Sequence, residues 1–154
     1  MRLVKENDRR VAERVQQQAR LDLVVPFTTP RLTQAALNAA NRLGAGLNAE
    51  IRLLRVQVVP FPLDLKHSPV PVDFLRRQLR TFSSALPTRG EIRLARESEA
   101  GLVSALKKNS LVILASPRRP WRTRTERLAL KLRRAGYTVV MVSNKDGAER
   151  ENNA

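Results

Sequence analysis

The chain has 154 residues, no cysteine, and 29 basic residues against 14 acidic, for a formal net charge of +15 at neutral pH. That length suits one domain with a sizeable core, the missing cysteines exclude disulfides and thiolate metal sites, and no apolar run approaches the roughly 18 residues of a membrane-spanning helix. So positive a field favours polyanions (a nucleotide, nucleic acid or an acidic lipid surface), although a general need for solubility produces the same composition.

Residues 1–20 are rich in Arg, Glu and Gln, with Val11, Val15 and Ala19 at helical spacing. They predict a charged helix with a thin apolar stripe, or a linker. Nothing apolar follows the charged N-terminus, so no signal peptide is expected and a cytoplasmic location is the default. The run Leu23-Val24-Val25-Pro26-Phe27 reads as a first strand. Thr28-Thr29-Pro30 then starts a helix with Leu32, Ala35, Ala36, Ala39, Ala40 and Leu43 on one face, and Gly44-Ala45-Gly46 ends it. Ile51 to Val59 is a second strand. A strand, a helix and a strand this closely spaced form a right-handed crossover with parallel strands.

Four prolines between Pro60 and Pro71 mark a loop, which also carries His67 and Ser68. Val72 to Leu86 shows Leu75, Leu79, Phe82 and Leu86 at amphipathic helical spacing, and Pro87-Thr88-Arg89-Gly90 breaks it. Glu91 to Ala95 is a short third strand. Ser98 is the expected N-cap of a helix with Leu102, Val103 and Leu106 inward, closed by Asn109-Ser110. Leu111 to Ala115 is a fourth strand. A helix from about Trp121 to Ala135 turns Leu128, Leu132 and Ala135 inward and ends on Gly136. Tyr137 to Ser143 is a fifth strand, and 144–154 form a polar, disordered tail. Unbroken apolar strands such as Leu111–Leu114 and Val139–Val142 suit a parallel sheet covered on both faces.

The stretch LDLVVPFTTPRLTQAALNAANRLGAGLNAEIRLLRVQVVP resembles the opening of universal stress protein domains. These have a strand ending near Pro-Val-Asp-Gly-Ser, an alanine-rich helix, a Gly-Ala turn and a Leu-rich second strand. Leu111–Ser116 resembles the family's fourth strand and Val139–Val142 its fifth, so the resemblance spans residues 21–143. It implies a three-layer α/β/α sandwich on a five-stranded parallel sheet, Rossmann-like and of universal stress type. It also implies a ligand site between the first and fourth strands, where strand order reverses. The rim there is Pro26–Pro30, Val56–Val59, Arg96–Ser98 and Ala115–Thr125.

Nucleotide-binding members of that family carry an Asp after the first strand, then Gly-x-x-Gly and a later Gly-Ser or Gly-Thr after the fourth. Here Thr28 matches the Asp, Thr125-Glu126 takes the place of Gly-Ser, and residues 115–126 contain no glycine. Glycine lets backbone amides reach phosphate oxygens, whereas Pro117 and Pro120 remove amide donors. ATP or ADP held in the family's usual way is therefore not expected. In place of the glycines stand Arg118, Arg119, Arg122, Arg124, Arg127, Lys131, Arg133 and Arg134, with one acid, Glu126, among them. Arginine forks suit phosphates, so an anion held by side chains at Thr28, Val56, Ser116, Arg118, Arg119, Arg122, Arg124 and Thr125 is one reading. A solvated face is the other, and it suits Arg127, Lys131 and Arg134, which fall on one helical stripe.

Trp121 either stacks on a base or folds over the core, and Pro117 to Pro120 is a Pro-x-x-Pro ligand or simply a turn. His67 is the sole histidine, so neither a His-based metal site nor a Ser-His-acid triad is expected. Asp64 and Asp73 read as surface acids. No enzymatic activity, metal or cofactor is expected. The resemblance implies a binding and regulatory domain that dimerises through its last strand, at Tyr137, Val139, Val140, Met141 and Val142. Two alternatives stay open: a cytoplasmic regulatory domain of, or related to, an amino-acid or cation–chloride transporter, and a non-specific nucleic-acid binder.

Overall fold

The computed structural model describes residues 7–13, 20–82, 84–117 and 123–144. Five strands, β1 (Leu21–Pro26), β2 (Ala49–Val58), β3 (Thr88–Ala95), β4 (Ser110–Ser116) and β5 (Thr138–Ser143), form one parallel sheet in the order β3-β2-β1-β4-β5. Between them run α1 (Pro30–Gly44), α2 (Val72–Arg80), α3 (Ser98–Ala105) and α4 (Arg124–Arg134). Right-handed crossovers send the first two helices to one face and the last two to the other. Leu23, Val25, Leu53 and Ile113 pack beneath α1 and α2, and Val24, Leu54, Val112 and Leu114 beneath α3 and α4. Leu23, Val24 and Val25 of the central strand are wholly buried, as a strand covered on both faces must be. Among the described residues, no helix is long and apolar enough to cross a membrane.

Local chemistry fixes the element ends, and several lie away from where the sequence pattern sets them. Thr29 caps α1, its hydroxyl accepting from the Leu32 amide at 3.3 Å, with Pro30 at the first helical position. The buried stripe of α1 is Thr33, Ala36, Leu37, Ala39, Ala40 and Gly44, so Leu37 packs inward while Leu43 is left 43% exposed. Small residues decide that rotation. A Cβ on Gly44 would lie 2.6 Å from Leu86 and 3.2 Å from Ala49, so the helix seats its glycine against the sheet.

Helix α2 stops at Arg80, well before Leu86, because the Thr81 hydroxyl bonds back to the Gln78 carbonyl at 2.7 Å. Phe82 and Leu86 reach the core from the segment that follows. Strand β3 begins at Thr88, since Thr88, Arg89 and Gly90 already pair with Ile51, Arg52 and Leu53. The N-cap of α3 is Glu97, which makes no side-chain cap bond, and the helix ends at Ala105. Thr123 and Glu126 form a reciprocal capping box that starts α4 at Arg124. Its buried residues are Thr125, Ala129 and Leu132, while Ala135 is exposed, and Gly136 takes φ +94° just past its end. Residues 7–13 are helical, with Val11 53% exposed.

At the N-terminal ends of the strands lies a buried polar network that the sequence pattern did not disclose. Arg52 of β2 grips Asp22 of β1 through two 2.8 Å bonds and donates to the Ala105 carbonyl at 2.9 Å and to Glu91 at 3.1 Å. The Ser110 hydroxyl donates to Asp22 at 2.5 Å, and Arg93 donates to Glu91 at 3.0 Å. Burial alone would raise the Asp22 carboxyl. The Arg52 fork and Ser110 hydroxyl, with the charges of Arg52 and Lys107, outweigh it and hold that carboxyl below the usual carboxylate range. Burial would likewise lower Arg52, but Asp22 and Glu91 carry it above its ordinary value.

Candidate functional site

At the opposite, C-terminal end the strand order reverses between β1 and β4, and their following segments diverge around a cleft of about 860 Å³. The β1–α1 turn supplies Thr28, Thr29, Arg31 and Leu32 to one wall. Pro117, Thr123, Arg124, Thr125, Arg127 and Leu128 supply the other, and Asn144 closes the side beyond β5.

Most of the hydroxyls here are engaged within the chain. The Thr28 amide donates to the Thr33 hydroxyl at 3.1 Å, which fixes the exit from β1. Phe27 is held edge-on to Phe82 at 5.7 Å, and the Arg55 guanidinium stacks over its ring at 4.5 Å. Arg55 also bonds Gln78 at 2.6 Å, and burial depresses its guanidinium. Ser116 is buried, its hydroxyl within 3.1 Å of the Thr123 hydroxyl and 3.5 Å of Glu126. The Asn144 amide donates to the Ser116 carbonyl at 3.2 Å.

Glu126 alters the electrostatics of this rim. Its carboxylate accepts from the Thr123 amide at 3.3 Å, so the N-terminus of α4 carries its own anion. A ligand phosphate would find that end of the helix dipole already answered. The cations of the cleft are instead side chains, Arg31, Arg124 and Arg127, and among the described residues no acid lines it. Three guanidiniums around a threonine-lined cleft can bind an anion and orient it. His67 stands on a distant exposed loop 4.0 Å from Asp64, and the described residues contain no group of three potential metal ligands.

Of the residues singled out from sequence, Thr28, Arg124 and Thr125 meet in the cleft, and Ser116 braces its floor from beneath. Val56 does not line it. Its side chain packs under α3, where a Cβ on Gly101 would lie 2.6 Å away. Arg118, Arg119, Arg122 and Trp121 lie outside the described residues. Arg127, set by the sequence on a solvated stripe, is exposed and also lines the cleft, and Leu128, set inward, packs against the core with part of its side chain on the cleft wall. Arg31 was overlooked, and the available signal was its place one residue beyond Pro30, in the first turn after β1. At the fifth strand, Val139 is given to the core at 6% exposure, while Tyr137, Val140, Met141 and Val142 are partly exposed.

No protein-family model matches the sequence, and a search of curated proteins finds no match. The architecture is that of the universal stress fold: a five-stranded parallel sheet with helices on both faces and its switch point between β1 and β4. Among solved structures, the chain is similar to the universal stress protein UspA from Lactobacillus plantarum, with a TM-score of 0.50 at 19% identity, over 80% of this chain and 99% of that one. At that identity the likeness is one of fold alone.

Proposed function

We propose that this chain is a non-enzymatic binding domain of universal stress type that holds a nucleotide-class anion by arginine side chains in place of a glycine cradle. The supporting observation is the cleft at the switch point, which Arg124 and Arg127 line on one wall and Arg31 on the other, while the rim's acid, Glu126, is taken up by the Thr123 amide. The capping box at Thr123 and Glu126 supports the side-chain mode, because it leaves the α4 terminus less to offer a phosphate than a glycine loop would. Such a domain acts through its bound and empty states on a partner, in a cytoplasmic setting.

Calorimetric titration with ATP and Mg²⁺ at low and physiological salt tests this. One-site binding that survives the higher salt is expected, and Arg124→Ala with Arg127→Ala weakens it by about tenfold or more, since a hydrogen bond to a charged group contributes about 1.5–3 kcal/mol. Heat that is absent, or that vanishes with salt, sinks the reading. It would leave an electrostatic nucleic-acid binder or a transporter-associated scaffold. A homodimer through β5 belongs to the same proposal, supported by the place of that strand at a sheet edge with Val140, Met141 and Val142 partly exposed. A monomer in light scattering would remove it.

A further inference from the structure

The connection between β2 and α2 presents apolar side chains to water in an ordered way. Phe61, Leu63 and Leu65 alternate with Pro62, Asp64 and Lys66, and they are 79%, 41% and 41% exposed. Exposed leucines are ordinary, but a phenylalanine at that exposure beside two of them is not. The loop is braced from below by Arg96, whose guanidinium stacks on the Phe61 ring at 4.1 Å and donates to the carbonyls of Val59 at 3.1 Å and Leu63 at 2.6 Å. Internal turns stiffen it further: the Leu63 amide bonds Pro60 at 3.0 Å and the His67 amide bonds Asp64 at 2.8 Å. The tip therefore keeps its apolar side chains outward.

We infer that this loop is a docking tip for an anionic bilayer surface, seating Phe61, Leu63 and Leu65 at the headgroup–acyl boundary. Three side chains on a narrow loop are far short of the roughly 800 Å² per partner that a stable protein interface buries. They are enough for an interfacial anchor when charge assists. The charge is there. Lys66, Arg76 and Arg77 are exposed on the loop and the next helix, and the local acids Asp64 and Asp73 each stand 4.0 Å from a cationic or protonatable neighbour, His67 and Arg76. The net charge of +15 draws the whole chain towards anionic headgroups. A nucleic acid would use that charge and could stack a base on Phe61, but it has no apolar interior to receive Leu63 and Leu65 as well.

Sedimentation of the full chain with phosphatidylcholine vesicles, with and without phosphatidylglycerol, tests the inference. Binding to the anionic vesicles alone is expected, weakening with salt. Phe61→Ser with Leu63→Ser lowers that binding by about tenfold or more, because each side chain loses its apolar burial, while the melting temperature stays put. Lys66→Gln with Arg76→Gln and Arg77→Gln lowers it as well. If the serine variant sediments as fully as the native chain, charge alone is acting and the tip is not an anchor. Equal binding to neutral vesicles, or none to anionic ones, overturns the inference too.

Discussion

The two ends of the sheet are built from similar residues to opposite effect. At the N-terminal end the buried Arg52 has its charge met by Asp22 and by the half-buried Glu91, and its remaining reach taken up by a backbone carbonyl. At the C-terminal end Arg124 and Arg127 line an open cleft, and the acid of that rim, Glu126, is taken up by the Thr123 amide. An arginine surrounded by partners from two neighbouring strands and a helix is a fastener. An arginine on a cleft wall is available to something that arrives later. The contrast shows that charge count alone assigns no role; the density of internal partners does.

Removing Arg52 should break the fastened end most. Arg52→Met leaves the buried Asp22 without its cation, while Glu91 keeps Arg93, and breaking such a buried pair costs about 3–5 kcal/mol, measurable as a lower urea midpoint. The acid limb of stability sharpens the same point. Asp22 has a folded-state value below its unfolded one, so its contribution is fully present above the unfolded carboxylate range, near pH ~4, and is lost as pH falls through the folded value. Asp22→Asn should therefore flatten the loss of stability below about pH 4, read from denaturation at several pH values; an unchanged acid limb would place that titration elsewhere. At the cleft end the effects shrink. Thr123→Ala removes the cap of α4 and should cost about 1 kcal/mol. Arg124→Ala, on an exposed wall, should stay within about 0.5 kcal/mol of the native stability while still weakening the ligand. A cleft variant as damaging as Arg52→Met would erase the distinction.

The fold was legible because its strongest signals are local. Apolar strands at Leu23–Val25, Leu111–Leu114 and Val139–Val142, separated by helices with small inward residues, leave little choice but a parallel sheet. What escaped the sequence depended on partners far along the chain. Leu37 faces inward because Gly44 and Ala40 set the helix rotation against β1, and periodicity alone favoured Leu43. Thr88–Gly90 read as a helix breaker and belongs to β3, because Ile51–Leu53 pairs with it. Asp22 and Arg52 were hidden inside apolar runs, where a charged residue is itself a sign of a buried pair. The cleft was half legible. The rim could be placed through the family resemblance, which put Thr28, Arg124 and Thr125 together, but which arginines turn into it is set by helix α4 starting at Arg124, and that start follows from the capping box.

The Asp22 clamp joins residues that lie 30 and 88 positions apart in sequence, and this bears on how the chain emerges during synthesis. Until β4 has been made, β1 is the open flank of a three-stranded sheet, for β2 and β3 lie on its other side. An unfinished flank is a template for pairing with another nascent chain, and a charge facing it discourages such pairing. Asp22 occupies that flank with Arg52 already in reach from β2. The carboxylate that fastens the finished sheet thus stands, while the chain is still growing, on the strand whose flank is open longest.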